Sequence, residues 1–282
     1  MPQDASTQGR YPDAIVNAVL DALTNAAPRP WLIGLSGLQG SGKSTLAAQL
    51  VELAARRGMA ARALSIDDFY FGRAARLRLA RDVHPLLATR GVPGTHDVDL
   101  LLGTLDALRK ATPRRRARVP RFDKGLDTRV SPSRWPSIAR APEFVILEGW
   151  CIGVPPQDAN ALLKPVNQLE RDEDRDARWR NWVNAQLTRH YVPLWQRLDR
   201  LVMLQAPTYS IVARWRDEQE RALRRRNAPR ALSPEALRRF LMHYERLSRQ
   251  AMRTLPARAD LRIVLDQDRR VRRLATARQA FG

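Results

Sequence analysis

The chain has 282 residues, of which 44% are hydrophobic, and 49 Lys and Arg stand against 29 Asp and Glu, a formal charge of +20. This length and apolar content suit one large α/β domain. No apolar run is long enough to span a bilayer, and the first residues lack a charged-then-apolar leader pattern. Cys151 is the single cysteine. It excludes intramolecular disulfides, fits a reducing cytoplasm and reads as a small core residue. Only four of the basic residues are lysine (Lys43, Lys110, Lys124, Lys164), and the other 45 are arginine. They are scattered through predicted helices beside acids, without the interleaved aromatics of a nucleic-acid stacking platform. A small anionic or polyol partner is therefore expected ahead of nucleic acid or membrane, and nothing in the sequence bears on oligomeric state.

Residues 1–10 read as disordered. Ile15, Val16, Val19, Leu20 and Leu23 give a helical stripe over residues 12–26, ended by Pro28 and Pro30. An apolar strand over 31–35 leads into Gly37-Leu-Gln-Gly-Ser-Gly-Lys-Ser44, and a helix follows over 45–57 with Leu46, Leu50, Leu53 and Ala54 inward and Gly58 as its stop. Residues 61–66 read as a second strand ending at Asp67-Asp68-Phe69-Tyr70. Residues 71–143 are long and irregular, apart from a helix over 98–110, and read as a substrate-covering insertion. Within them, Arg114–Arg116 reads as a solvated loop. A third strand, 144–150, carries Glu148 at its C-terminal end. The charged stretch 170–176 reads as solvated. Residues 179–197 look helical, 198–205 form a fourth strand, and 209–226 form an Arg-rich helix. Ser233 and Pro234 open another helix with the stripe Leu237, Phe240, Leu241, Tyr244 and Leu247. A fifth strand, 261–266, is followed by a turn and a short C-terminal helix. Alternating strands and helices predict a parallel sheet covered on both faces, with chemistry at the strand ends.

The stretch Gly37–Ser44 is G-x-x-x-x-G-K-S in its required strand–loop–helix setting. Its glycines let backbone N–H groups converge on phosphate at a helix N-terminus. Gly37, Leu38, Gln39, Gly40, Ser41, Gly42, Lys43, Ser44 and Thr45 are thus the expected ATP-binding residues. Lys43 reaches the β- and γ-phosphates, and Ser44 with Glu148 organises Mg²⁺. Asp67 or Asp68 is a candidate acceptor for a substrate hydroxyl proton. Positive charge on the transferred group is expected from Lys43 and from the arginines Arg214, Arg216, Arg221, Arg224, Arg225 and Arg226, most of which form a solvated face.

The sequence resembles the plant-type D-glycerate 3-kinases and their fungal and bacterial relatives, within the P-loop kinase group of uridine kinase, phosphoribulokinase and pantothenate kinase. The resemblance rests on Gly34–Thr45, Leu64–Tyr70, Arg90-Gly-Val-Pro-Gly-Thr-His-Asp97, Pro120-Arg-Phe-Asp-Lys124, Pro132–Trp135, Leu147–Trp150, Val166–Glu170 and Trp215-Arg216. It implies a single P-loop kinase domain over 1–282 with a five-stranded parallel sheet in the order 2-3-1-4-5. It also implies a helical lid over 207–230 that brings Arg216 to the phosphates. It points to Asp67 over Asp68 as the base, and to Tyr70, His96, Asp97, Arg121, Asp123 and Lys124 near the substrate. Arg121, Lys124 or Arg129 is the expected partner of a substrate carboxylate, and the turn Asp266–Arg269 lies where related kinases contact the base. The implied activity is ATP- and Mg²⁺-dependent phosphorylation of D-glycerate at its 3-hydroxyl. A nucleoside, pantothenate or another polyol is the alternative acceptor, and a nucleotide-dependent nucleic-acid-binding regulator is the alternative of a different class.

Overall fold

A computed structural model of the chain describes residues 9–25, 28–225 and 232–276. Most of the 1–10 stretch expected to be disordered, and the end of the 207–230 lid, lie outside the described residues. The main sheet contains β1 (Leu32–Gly37), β2 (Ala61–Ser65), β3 (Phe144–Gly149), β4 (Arg200–Gln205), β5 (Leu261–Leu265) and β6 (Val271–Thr276). Its spatial order is β6-β5-β4-β1-β3-β2. The five parallel strands therefore stand in the expected order 2-3-1-4-5, and a sixth runs antiparallel on the β5 edge. Every residue of β1 and β3 is buried, because helices cover both faces of a parallel sheet. Alternate side chains divide between two core layers: Val145 and Leu147 face one, Phe144 and Ile146 the other.

The sixth strand occupies residues 271–276, where a short C-terminal helix is expected after the turn; the residues past 276 lie outside the described ones. A register shift between Val271 and Arg273 explains the misreading. An extra residue in a strand brings side chains three apart onto one face, which mimics a helical repeat. Both Val271 and Leu274 pack against the core there. The turn before the strand is closed by the Asp266 carboxylate, which accepts from the amides of Asp268 and Arg270.

The 71–143 segment is far more ordered than its composition announced. It holds helices Arg73–Asp82 and Val98–Arg109, a short helical turn Pro85–Ala88, and two antiparallel ribbons, Ala117–Arg118 with Ser137–Ile138 and Phe122–Asp123 with Thr128–Arg129. Leu86, Leu87, Val92, Leu101, Leu105 and Leu108 enter the same core as the sheet. The helix Arg73–Asp82 escaped notice because it has no apolar stripe. Its one buried side chain is Arg76. The helical stretch expected over 179–197 is broken into Arg178–Gln186, a widened π-type turn Leu187–Tyr191, and Val192–Trp195.

The charged stretch 170–176 is not simply solvated. Glu170 and Asp174 are completely buried. Glu170 accepts from Arg246 Nε at 2.8 Å, from Arg246 NH2 at 2.6 Å and from the Val166 amide at 2.9 Å. Asp174 accepts from Arg180 NH1 at 2.8 Å and from the Trp179 amide at 2.7 Å. The partners lie at a distance along the chain or beyond a turn, so a run of charges conceals them. Cys151, just beyond β3, is completely buried, as expected of a core residue. Arg246→Met leaves the Glu170 carboxylate buried without its cation, and the expected cost is about 3–5 kcal/mol. Urea unfolding of the variant beside the parent protein measures it.

Candidate active site

The phosphate loop leaves β1 and enters the helix Lys43–Arg56. Gly40 lies at φ +81°, and a Cβ there would sit 2.7 Å from the Trp215 Cβ. The loop is also braced from outside: the Tyr11 hydroxyl donates to the Ser41 carbonyl at 2.8 Å, and Arg269 Nε donates to the Gly40 carbonyl at 2.9 Å. With those carbonyls held outward, the amides at the helix start, which have no intrahelical acceptor, are left for an anion. Gln39, Gly40, Gly42, Lys43, Ser44 and Thr45 line a cavity of about 510 Å³. Gly37, Leu38 and Ser41, also expected to bind nucleotide, shape the loop from beneath: Leu38 and Ser41 are buried away from the cavity.

Across the cradle, the Ser44 hydroxyl donates to Glu148 Oε1 at 2.8 Å. Strand register makes this contact, since Glu148 lies beside Leu35 of β1 and Ser65 of β2. Both residues line the cavity, and they present the hard oxygen donors that suit Mg²⁺.

Asp67 and Asp68 point to different tasks. Asp67 lines the cavity and accepts from the Tyr70 hydroxyl at 2.8 Å and from Lys124 Nζ at 2.7 Å. Burial alone would push its carboxyl up; the Lys124 and Lys43 ammonium groups and the Tyr70 hydroxyl outweigh burial and hold the pKa at about 2. Asp68 also borders the cavity, but its two oxygens anchor the 120s ribbon, accepting from Arg121 NH1 at 2.7 Å and from the Phe122 amide at 3.0 Å.

The other expected substrate residues fall into two groups. Tyr70 and Lys124 line the cavity. His96, Asp97, Arg121 and Asp123 do not line it. His96 is buried behind Tyr70, its ring stacked at 4.5 Å. The Tyr191 hydroxyl accepts from the Gly94 amide and shares a hydrogen bond of 2.7 Å with His96 Nδ1. Burial lowers the His96 pKa to about 4, so the ring is neutral at neutral pH. Asp97 caps the helix Val98–Arg109 through the Leu100 amide at 3.0 Å and pairs with Arg129 at 3.1 Å. Asp123 accepts from the Leu126 amide in the ribbon turn.

Arg216, on the helix Ile211–Arg225, lines the cavity, with NH1 on Gln219 at 2.7 Å and NH2 on Glu220 at 2.6 Å. Arg214 pairs with Glu218 and Asp268, and Arg221 with Asp217. The side chains of Arg224, Arg225 and Arg226 lie outside the described residues. Sequence reading missed Arg90, Trp150, Gln219, Phe240 and Tyr244 on the cavity wall and Tyr11 behind the loop, and it placed Arg269 in a base-contacting turn without its hold on the Gly40 carbonyl. Phe240 and Tyr244 sat in a stripe that read as core. Arg90 stood at the head of a recognised motif without a role.

A phosphate cradle facing an acidic strand end, on a parallel sheet ordered 2-3-1-4-5, defines a P-loop kinase. No protein-family model matches the chain. An uncharacterized kinase of Schizosaccharomyces pombe, mug58, is 36% identical over 229 residues, covering 77% of this chain and 79% of its own. The chloroplastic D-glycerate 3-kinase of Arabidopsis thaliana is 32% identical over 222 residues, covering 76% of this chain but 46% of its own. The structure of D-glycerate 3-kinase from Cryptococcus neoformans superposes with a TM-score of 0.76 at 24% identity, over 93% of this chain and 99% of that one, and shows the same fold. The chain belongs to the D-glycerate 3-kinase family of P-loop kinases. It is an ATP-dependent phosphotransferase with an alcohol group as acceptor. Among the described residues no helix is long and apolar enough to cross a membrane.

Gly40→Ala puts a methyl group against Trp215 at a left-handed φ, a strain of about 1–3 kcal/mol. The expected result is at least a severalfold loss of ATP affinity in calorimetry, with the far-UV circular dichroism of the parent.

Proposed function

We propose that the chain transfers the γ-phosphoryl group of Mg²⁺-ATP to the 3-hydroxyl of D-glycerate, in a cytoplasmic setting. The observation that carries this reading is the opposition, across one cavity, of the Ser44–Glu148 pair and the Asp67 carboxylate. Asp67 accepts the hydroxyl proton as the new O–P bond forms. Its low pKa keeps it ionised at every working pH, and a weak base suffices when phosphoryl transfer is largely dissociative and the proton leaves late. Ser44 and Glu148 hold Mg²⁺, which when bound neutralises charge on the β- and γ-phosphates. Lys43 and Arg216 supply positive charge to the migrating group. Arg216 does so by exchanging its Gln219 and Glu220 partners for phosphate oxygen. The 71–143 segment walls the acceptor half, and the helix Ile211–Arg225 covers the phosphates. Asp68 is the poorer base, because both its oxygens are already committed to the ribbon. His96 and Asp97 act by fixing the wall that carries Tyr70.

The test is ADP release from Mg²⁺-ATP with D-glycerate, L-glycerate, pantothenate, uridine or ribulose 5-phosphate. Release with D-glycerate alone, with 3-phosphoglycerate as product, is expected. Release only with another acceptor would overturn the substrate while leaving the kinase chemistry in place. Lys124→Met removes the leading cation beside Asp67, so burial then pushes that carboxyl up. The acid limb of the kcat/KM profile should move to higher pH in the variant, whereas the parent stays flat until it unfolds.

A further inference from the structure

Four cationic side chains line the cavity among the described residues: Lys43, Arg90, Lys124 and Arg216. Three are already committed. Lys43 belongs to the phosphate loop, Lys124 is on Asp67, and both terminal nitrogens of Arg216 are on Gln219 and Glu220. Arg121 and Arg129 are paired with Asp68 and Asp97 and do not line the cavity.

Arg90 differs. Its single side-chain hydrogen bond among the described residues runs from NH1 to Asp127 Oδ1. That carboxylate also takes both terminal nitrogens of Arg76, which is 1% exposed. One negative charge thus faces two guanidinium groups, and the buried Arg76 already neutralises it. Arg90 is left with a surplus positive charge and with Nε and NH2 uncommitted.

The fold also fixes where that charge sits. The Tyr244 hydroxyl donates to the Arg90 carbonyl at 2.8 Å, and Trp150 Nε1 donates to the Gly91 carbonyl at 3.1 Å. Gly91 lies at φ +133°, where an added Cβ would come within 2.0 Å of the Tyr244 oxygen. The Arg90 guanidinium stands 5.7 Å from the Phe122 ring centre, on the ribbon that delivers Lys124 to Asp67. Arg90, Asp67, Tyr70 and Tyr244 line the same cavity, and both tyrosine hydroxyls lie near enough to Asp67 and Arg90 to feel their charges.

We infer that Arg90 selects an acceptor that carries a carboxylate, donating to it from the guanidinium nitrogens that Asp127 leaves free. A planar fork matches a planar carboxylate in two parallel hydrogen bonds, which an ammonium group does not provide. A neutral polyol would leave the surplus charge uncompensated inside the cavity, so the same residue discriminates against it. The inference rests on the hydroxy-acid reading above and names the residue that reads the acid.

The experiment compares the parent chain with Arg90→Met and Arg90→Lys, using D-glycerate and glycerol at saturating Mg²⁺-ATP, with calorimetric ADP binding and urea unfolding alongside. Arg90→Met should raise KM for D-glycerate about 100-fold, keep the parent's ADP affinity, and erase the preference for D-glycerate over glycerol. Arg90→Lys, which keeps the charge but loses the fork, should fall between the two. An unchanged KM for D-glycerate in Arg90→Met overturns the inference. If that variant does not fold, an unchanged KM in Arg90→Lys does so instead. If the parent phosphorylates a different hydroxy acid, the D-glycerate assignment falls, and Arg90→Met is judged on KM for that acid. Turnover only of acceptors without a carboxylate, or of none, overturns both.

Discussion

The pairing of Glu148 with Leu35 on one side and Ser65 on the other sets the whole site. Three parallel strands in that register end at one edge. There β1 releases the phosphate loop, β2 releases Asp67 two residues on, and β3 presents Glu148 within 2.8 Å of Ser44. Slipping β3 by one residue would turn Glu148 toward the other core layer and send Leu147 into the cavity. What prevents the slip is the burial of Leu32, Ile33 and Leu35 of β1 and of Phe144–Leu147 of β3 between the two core layers. The hydrophobic pattern and the chemistry are therefore specified by the same residues.

Around that fixed edge, the acceptor half is assembled largely from ion pairs. Asp68 holds Arg121, Asp97 holds Arg129, and Asp127 holds Arg76 and Arg90. These contacts tie the ribbon Phe122–Arg129 to the end of β2, to the start of the helix Val98–Arg109 and to the helix Arg73–Asp82. A chain this rich in arginine can use the guanidinium fork as a structural joint wherever an aspartate is within reach. Each such pair cancels one positive against one negative charge, so the formal +20 resides in the basic residues that outnumber the acids.

The apolar runs, the phosphate-loop pattern and the strand-end carboxylates were legible because each is a local signal with its own periodicity or spacing. Five strands and their order followed from them and from the family resemblance. The sixth strand was hidden by its bulge, which spaces Val271 and Leu274 as a helix would. Glu170 and Asp174 read as solvated because the arginines that neutralise them, Arg246 and Arg180, meet them only in three dimensions. The same holds for the cavity wall. Tyr244 carries an apolar-stripe signal and a hydroxyl on the Arg90 carbonyl, and only the first is visible in one dimension. Asp97 was legible as a special residue, but its oxygens here cap a helix and hold Arg129.

The burial of the lone thiol has a practical side. Cys151 follows β3 directly, has no exposed surface, and burial pushes its ionisation well above the usual thiol range. The thiolate is the reactive form, so the folded chain is inert to alkylating reagents. Labelling at this one position requires the core around the end of β3 to open, and its rate is a stopwatch for that opening. Because the chain carries no other thiol, the readout needs no engineered probe and no correction for competing sites.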